Sequence, residues 1–139
     1  MPFSANRVGR YLTKREFMET VERLSKAEFR AWDFGTTMRY VREGDFVYLD
    51  PPYMVDSRRV FNEYGKNPFT KDDLIRLRNH LQRIDEKGAS FLVSYADCKE
   101  ARELAVGWKT RRMRVRRHVA GFSDARRSAY EVLITNIQQ

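Results

Sequence analysis

Apolar residues recur at helical spacing near the start of the chain. Thr13 and Glu16 have the spacing of a capping box, the pairing that commonly opens a helix. The apolar residues that follow lie on one face of a helix: Phe17, Val21 and Leu24. The pattern predicts a helix from about Lys14 to Lys26.

The same pattern returns more clearly in the middle of the chain. Thr70 and Asp73 again have capping-box spacing, and Gly88 supplies a stop signal. The apolar stripe between them consists of Leu74, Leu77, Leu81 and Ile84. The pattern predicts a long helix buried along one side. Two shorter helices are expected, over Thr36–Arg42 and from a cap formed by Asp97 and Glu100 to Gly107.

Apolar runs without a helical period predict strands. They are Phe29–Trp32, Phe46–Leu49, Ser90–Tyr95 and Tyr130–Asn136. Arg111–Arg117 alternates like an exposed edge strand, and Gly121–Arg127 is expected to form the turn before the last strand. Strands separated by helices, and then two strands joined by a turn, predict an α/β fold over residues 1–139. We expect one domain with a mainly parallel sheet, helices on both faces and a C-terminal antiparallel hairpin.

The segment Phe46–Tyr53 carries the strongest chemical signal. Its first four residues are apolar, as in a strand buried on both faces. Pro51 and Pro52 end the strand, because proline has no N–H and fixes its own φ. Asp50 and Tyr53 are therefore expected at the carboxyl end of a central strand, where open α/β sheets bind their ligands.

The charge of the chain is concentrated in one window. The 139 residues carry a formal net charge of +8, and the window from Trp108 to Arg127 holds +7 of it, since eight basic residues there accompany one acid, Asp124. Seven of the eight are arginines, whose planar guanidinium matches phosphate. This concentration favours a nucleic-acid partner. The basic residues are Lys109, Arg111, Arg112, Arg114, Arg116, Arg117, Arg126 and Arg127.

Other classes of protein are disfavoured by what the sequence contains. The single cysteine, Cys98, excludes an internal disulfide and is typical of a cytoplasmic protein. His80 and His118 are isolated, so no metal site is expected. No stretch has the length of a membrane span, and the N-terminus lacks the apolar core of a signal peptide.

A strand that ends in Asp50-Pro51-Pro52-Tyr53 resembles the catalytic motif of amino-methyltransferases, which methylate the exocyclic amine of adenine with S-adenosylmethionine. The resemblance implies that the Asp50 carboxylate and the Pro51 carbonyl accept the hydrogens of the amine. The nitrogen lone pair is then turned out of the ring toward the methyl donor. Tyr53 would stack on the flipped base.

In the order of its segments, the chain resembles the C-terminal half of Dam-type DNA adenine-N6 methyltransferases, including phage relatives. Asp33-Phe34 stands 17 residues before Asp50, where the family places an acidic–aromatic pair that holds the adenine of the cofactor. Residues 1–12 resemble the end of the target-recognition region. The resemblance implies double-stranded DNA as the partner. The residues expected near DNA are Arg116, Arg117, Arg126 and Arg127 of the basic hairpin, and Tyr64 in an active-site flap over Met54–Pro68.

The glycine-rich cofactor loop of that family, Phe-x-Gly-x-Gly, does not occur in this sequence. The strands that would carry it lie, in the family, beside Phe46–Leu49, so that this strand is expected to have an unpaired apolar edge. Three explanations remain open: a split enzyme completed by a second chain with the cofactor-binding half, a truncated product, or strands that close up and bind cofactor weakly.

Two alternative functions also remain open. One is an adenine-N6 methyltransferase that acts on RNA, since the same motif serves both substrates. The other is a noncatalytic nucleic-acid-binding remnant, retained for its arginine hairpin.

Overall fold

The computed structural model describes residues 11–53, 69–116 and 128–138, which form a mixed α/β structure. The helices are α1 (Lys14–Leu24), α2 (Phe34–Thr37), α3 (Lys71–Glu86) and α4 (Lys99–Leu104). A short 3-10 turn, Met38–Tyr40, follows α2 directly. The strands are β1 (Phe46–Leu49), β2 (Ser90–Ala96), β3 (Lys109–Arg116) and β4 (Ser128–Thr135).

The four strands form one sheet in the order β1-β2-β4-β3. β1 and β2 are parallel, with Leu49 opposite Val93, and α3 makes the crossover between them. The pairs β2–β4 and β4–β3 are antiparallel. The α/β class and the C-terminal antiparallel hairpin are therefore confirmed, while only one of the three described strand pairs is parallel.

The core lies on one face of this sheet. Phe91, Val93 and Tyr95 alternate along β2 and are all fully buried. The apolar stripe of α3 packs on them, because its side chains lie on one face of the helix. The capping box of Thr70 and Asp73 begins this helix. The other members of this cluster include Leu74, Leu77, Leu81 and Ile84 of α3, Ala101 and Leu104 of α4, and Val132 and Ile134 of β4.

β1 differs from the expected strand buried on both faces. Leu49 is buried, but Phe46 and Tyr48 are 58% and 59% exposed. Side chains alternate across a strand, so these two point away from α3 and α4, and no described element covers them. Helices were expected on both faces of the sheet, whereas the described helices cover one face of the described sheet. β1 is also an edge strand with one edge unpaired among the described strands, as the sequence predicted.

One expected strand and the bounds of one expected helix were wrong. Phe29–Trp32 is not a strand: Phe29 is 73% exposed, and none of the described strands lies beside this segment to complete a ladder. The helix expected from Asp97 to Gly107, α4, has Cys98 rather than Asp97 as its N-cap and ends at Leu104, before Gly107. Gly107 adopts a positive φ of 95° in the turn that follows.

The first helix keeps its predicted capping box but buries nothing. Thr13 and Glu16 make the reciprocal bonds of the box, and α1 has no buried residue among its 11. Its apolar residues Phe17, Val21 and Leu24 are between 43% and 56% exposed. An apolar stripe of this kind is stable in a globular protein when another element covers it.

Leu81 tests whether α3 and β2 form the core. Replacing Leu81, which is fully buried, with alanine should lower the free energy of unfolding by about 2–5 kcal/mol, because the surrounding side chains cannot fill the cavity. Ile75→Ala is the matched control on the same helix; Ile75 is 51% exposed, and its truncation should cost less than about 0.5 kcal/mol. Urea unfolding of both variants measures the difference. Equal destabilisation would show that α3 does not pack as described.

Candidate active site and nucleic-acid interface

The segment after β1 passes from the core to the surface within two residues. Leu49 is buried and Asp50 is exposed. Pro51 cannot donate to a neighbouring strand, so the ladder ends here. The Asp50 carboxylate is exposed at the carboxyl end of β1, and no side chain of the described residues pairs with it. Its position agrees with the sequence prediction; its catalytic role remains a prediction.

Tyr53 anchors this segment to the sheet. Its ring centroid lies 5.1 Å from that of Tyr95, with an angle of 54° between the ring planes. Tyr95 is fully buried at the end of β2, and the half-buried Tyr53 packs against the same core. Two stiff prolines and this aromatic contact together restrict where Asp50 can lie. Pro52 is exposed between the two held residues.

Asp33 caps the short helix α2. Its Oδ1 accepts a hydrogen bond from the Gly35 amide at 2.9 Å and another from Arg76 Nη2 at 2.8 Å. The hydrogen bond from Arg76 is the main reason why the pKa of Asp33 lies below its ordinary value, with a smaller contribution from the Gly35 amide. Both of these bonds use Oδ1. The Asp33 side chain is half exposed, so its second oxygen, Oδ2, can accept a hydrogen bond from a ligand.

Phe34 lies beside this ion pair and packs against the core. Its ring lies 6.4 Å from that of Phe69 and 5.9 Å from the imidazole of His80, and the Arg76 guanidinium stands 4.6 Å from its centroid. Phe34 therefore helps to position Asp33. No hydrogen bond or ion pair joins Asp33 to Asp50 within the described residues. The prediction that Asp33 and Phe34 hold a cofactor stays open.

The basic strand β3 is fixed by a carboxylate. Arg112 Nε donates to Asp97 Oδ2 at 2.6 Å, and its guanidinium carbon stands 3.6 Å from the centroid of the Tyr130 ring. Asp97 is the residue that the sequence assigned to a helix cap; it binds Arg112 instead, because β3 brings a cation to the end of β2. Its backbone amide also donates to the Tyr130 carbonyl at 3.0 Å. Arg112 thus has a structural partner and is not an open phosphate contact.

The other predicted nucleic-acid contacts are only partly placed. Arg116 is the last residue of β3, which directs the chain into the expected hairpin. Arg117, Arg126, Arg127 and Tyr64 lie outside the described residues, as does the expected flap over Met54–Pro68. Their roles remain predictions.

Sequence reasoning missed two side chains of α3 that complete the surroundings of Asp33. Arg76 bridges Asp33 and Asp73, donating to each at 2.8 Å. A Cβ at Gly35 would stand 2.9 Å from Asp33 Oδ1 and 3.0 Å from His80 Nε2, so a larger residue there would have to displace these side chains. Arg76 and His80 are four residues apart and therefore lie on one face of a helix. This spacing is the feature of the sequence that could have identified them.

Comparison with known proteins identifies the family of the chain. A family model described as D12 class N6 adenine-specific DNA methyltransferase matches residues 5–120. The chain belongs to this family. The segment with Asp50-Pro51-Pro52-Tyr53 lies inside the matched region, as do Asp33 and Phe34.

Several known methyltransferases are similar to most of the chain. The type II methyltransferase M1.LlaDCHI of Lactococcus lactis is 26% identical over 136 residues, covering 92% of this chain and 48% of the relative. The type II methyltransferase M.MjaIII of Methanocaldococcus jannaschii is 30% identical, covering 92% of this chain and 47% of the relative. The DNA N-6-adenine-methyltransferase of Escherichia phage P1 is 29% identical over 111 residues, 78% of this chain and 15% of that protein. The chain spans about half the length of the first two.

Two further observations bear on the class of protein. None of the helices in the described ranges is long and apolar enough to cross a membrane. Within residues 11–53, 69–116 and 128–138, no group of three or more histidine, cysteine or acidic side chains is arranged to hold a metal ion.

The surroundings of His80 predict a dependence of stability on pH. Desolvation, and then the positive charges of Arg83, Arg76 and Arg39, lower the pKa of His80 from its ordinary value of 6.5, although Asp33 opposes them. The unfolded chain therefore binds the proton more readily than the folded chain. The contribution of neutral His80 to stability is complete above pH 6.5 and is lost as the pH falls below it.

We expect the urea midpoint of the wild type to fall between about pH 7.5 and about pH 5.5, and the fall to be smaller in His80→Gln. Asp33 and Asp73 do not contribute in this window, since their ordinary pKa of 3.8 is already below it. Identical pH slopes for the two proteins would show that His80 is not held neutral by its neighbours.

Proposed function

We propose that this chain is the C-terminal catalytic half of a DNA adenine-N6 methyltransferase that uses S-adenosylmethionine. The observation that carries the proposal is the Asp50-Pro51-Pro52-Tyr53 segment. It leaves the core at Leu49, is held at Tyr53 by Tyr95, and has at the carboxyl end of β1 an exposed carboxylate with which no described side chain pairs. Membership of the D12 family supports the reaction class.

The residues of this segment fit the chemistry of an exocyclic amine. Asp50 and the Pro51 carbonyl are both acceptors, and an adenine amine has two hydrogens to donate. When both are accepted, the nitrogen lone pair is withdrawn from the ring and becomes nucleophilic. Acceptors held by a rigid turn need no rearrangement during the reaction. The cosubstrate would supply the activated methyl group, and Tyr53 would stack on the base.

Asp33 fits a role in holding the cofactor. Its Oδ1 is occupied by Gly35 and Arg76, which fix the carboxylate in place, while Oδ2 can accept a further hydrogen bond. A fixed carboxylate with one open oxygen suits the exocyclic amine of the cofactor's adenine. An aspartate with the ordinary pKa of 3.8 is already an ionised acceptor at neutral pH, and the hydrogen bond from Arg76 lowers the pKa of Asp33 further. Phe34 supports this geometry from the core side by packing on Phe69.

We further propose that a second chain supplies the cofactor-binding half. The chain spans about half of its relatives, and Phe-x-Gly-x-Gly is absent from its sequence. Three of its apolar surfaces lack a described neighbour: the stripe of α1, the segment around Phe29, and Phe46 with Tyr48 on the edge strand. A partner that adds strands beside β1 would bury these surfaces together.

The same assignment gives the proposed domain organisation and cellular location. Residues 1–139 would form one part of the catalytic domain, with 1–12 as the end of the target-recognition region. Double-stranded DNA as the substrate places the activity in the cytoplasm.

Asp50→Ala separates catalysis from binding. With the completing half present, the variant should lose methylation of adenine-containing duplex DNA by about 10²-fold or more, because one preorganised acceptor is gone. DNA affinity should be unchanged. Asp72→Ala, which removes an exposed carboxylate from the first turn of α3, is the control and should keep its activity. Methyl transfer from labelled cofactor and DNA binding by fluorescence anisotropy are the two measurements.

The outcomes distinguish the competing functions. Full methylation activity in Asp50→Ala would overturn the assigned mechanism. Methylation of RNA in preference to duplex DNA would identify an RNA methyltransferase. DNA binding by a complemented complex that never transfers a methyl group would leave a noncatalytic binding module.

Titration of the purified chain with S-adenosylmethionine tests the need for a partner. We expect no saturable heat change from the folded chain alone, since its sequence lacks the glycine-rich loop. A urea transition of the same sample, with and without duplex DNA, confirms that it is folded. Saturation in the micromolar range would show that the chain closes its own cofactor site, and the second chain would be unnecessary.

A further inference from the structure

A concave groove lies between α3 and the segment formed by α2 and the 3-10 turn. Its volume is about 410 Å³, within the usual range for small-ligand sites. Most of the polar side chains that line it are basic. The lining residues are Asp33, Gly35, Thr36, Met38, Arg39, Arg76, His80, Arg83, Ile84 and Lys87.

One helix face supplies most of these cations. Arg76, His80, Arg83 and Lys87 follow one another at intervals of four, three and four residues along α3 and its C-cap. That spacing places them in one row on the helix surface. The row lies beside the apolar stripe that packs on β2. Arg39, from the 3-10 turn, lines the same groove.

The groove has more positive charge than its own acids can balance. Asp33 is its single acidic lining residue, and Arg76 already pairs with both Asp33 and Asp73. Arg39 and Arg83 have no ion-pair partner among the described residues. Lys87 Nζ donates to the Val41 carbonyl at 2.9 Å, and no acidic side chain in the described ranges forms an ion pair with it.

These features are those of an anion site. We propose that the groove binds phosphate groups, held by the guanidinium forks of Arg39 and Arg83 and by the ammonium of Lys87. Arginine suits bidentate contact with phosphate oxygens, and lysine adds a compact charge. His80, which also lines the groove, gains a second N–H donor and a positive charge when it is protonated, and a bound anion would favour that form.

The phosphate can come from two sources, a nucleic-acid backbone or a free phosphate ligand. Asp33, which is proposed to hold the cofactor, lines one side of this groove, but the proposed phosphate contacts come from Arg39, Arg83 and Lys87, which have no part in the proposed methyl transfer. The phosphate proposal therefore stands or falls separately from the proposed function. It also differs in place from the basic hairpin, because no described residue of β3 or β4 lines the groove.

Pyrophosphate is the probe for the site itself. The pKa of His80, followed by NMR on the full chain, should rise when pyrophosphate is added. Arg39→Gln and Arg83→Gln should each weaken pyrophosphate binding about tenfold, the effect of removing one charge-assisted hydrogen bond. Arg23→Gln removes the same charge from α1, outside the groove lining, and should leave binding unchanged. A urea transition of each variant checks that it is folded.

Duplex DNA distinguishes the two sources. If the backbone of a nucleic acid occupies the groove, Arg83→Gln should weaken DNA binding and reduce its salt dependence by about 0.9 units of slope for each phosphate that is no longer neutralised. If free phosphate is the ligand, DNA binding should stay unchanged while pyrophosphate binding falls. No response of His80 to pyrophosphate, or a response that Arg39→Gln and Arg83→Gln both leave intact, would overturn the proposal.

Discussion

The complete burial of one face of β2 is the constraint on which the other parts of the structure depend. Phe91, Val93 and Tyr95 face the core with no exposed surface, so the strand cannot shift by one residue without placing them on the open face. Its register fixes β1 on one side and β4 on the other. Both candidate functional regions begin at its carboxyl end: Tyr95 holds Tyr53 of the Asp50–Tyr53 segment, and Asp97 holds Arg112 of the basic strand.

The opposite face of the sheet carries apolar side chains that no described element covers. Burying an apolar side chain contributes roughly 1.5–3 kcal/mol, and Phe46 and Tyr48 gain little of this where they stand. The stripe of α1 is in the same position. These residues are apolar in a pattern that makes physical sense only with a covering element. The proposed second chain would account for both the exposed surfaces and the half-length match to relatives.

Sequence patterns that lie within a single element correctly predicted that element. The capping box at Thr70 and the stripe of α3 belong to one helix, and both were predicted correctly. The strand expected at Phe29–Trp32 was wrong because a strand exists only with a neighbour, and no neighbour stands beside it in the described chain. Asp97 was misassigned for a similar reason: its partner Arg112 is 15 residues away. The ion pair of Asp33 with Arg76 spans 43 residues, a distance that no local pattern reports.

The distribution of charge along the sequence also differs from its distribution in the folded chain. Outside the window from Trp108 to Arg127 the net charge is only +1, the difference between +8 and +7, which suggests nothing basic there. Yet folding gathers Arg39, Arg83 and Lys87 into one groove and leaves the balancing acids elsewhere. Within the window, conversely, Arg112 is neutralised by Asp97. The positive charge that the surface offers to an anion depends on which basic side chains form ion pairs in the folded chain. The proposed anion groove therefore depends on cations that lie far apart in the sequence and are brought together only by folding.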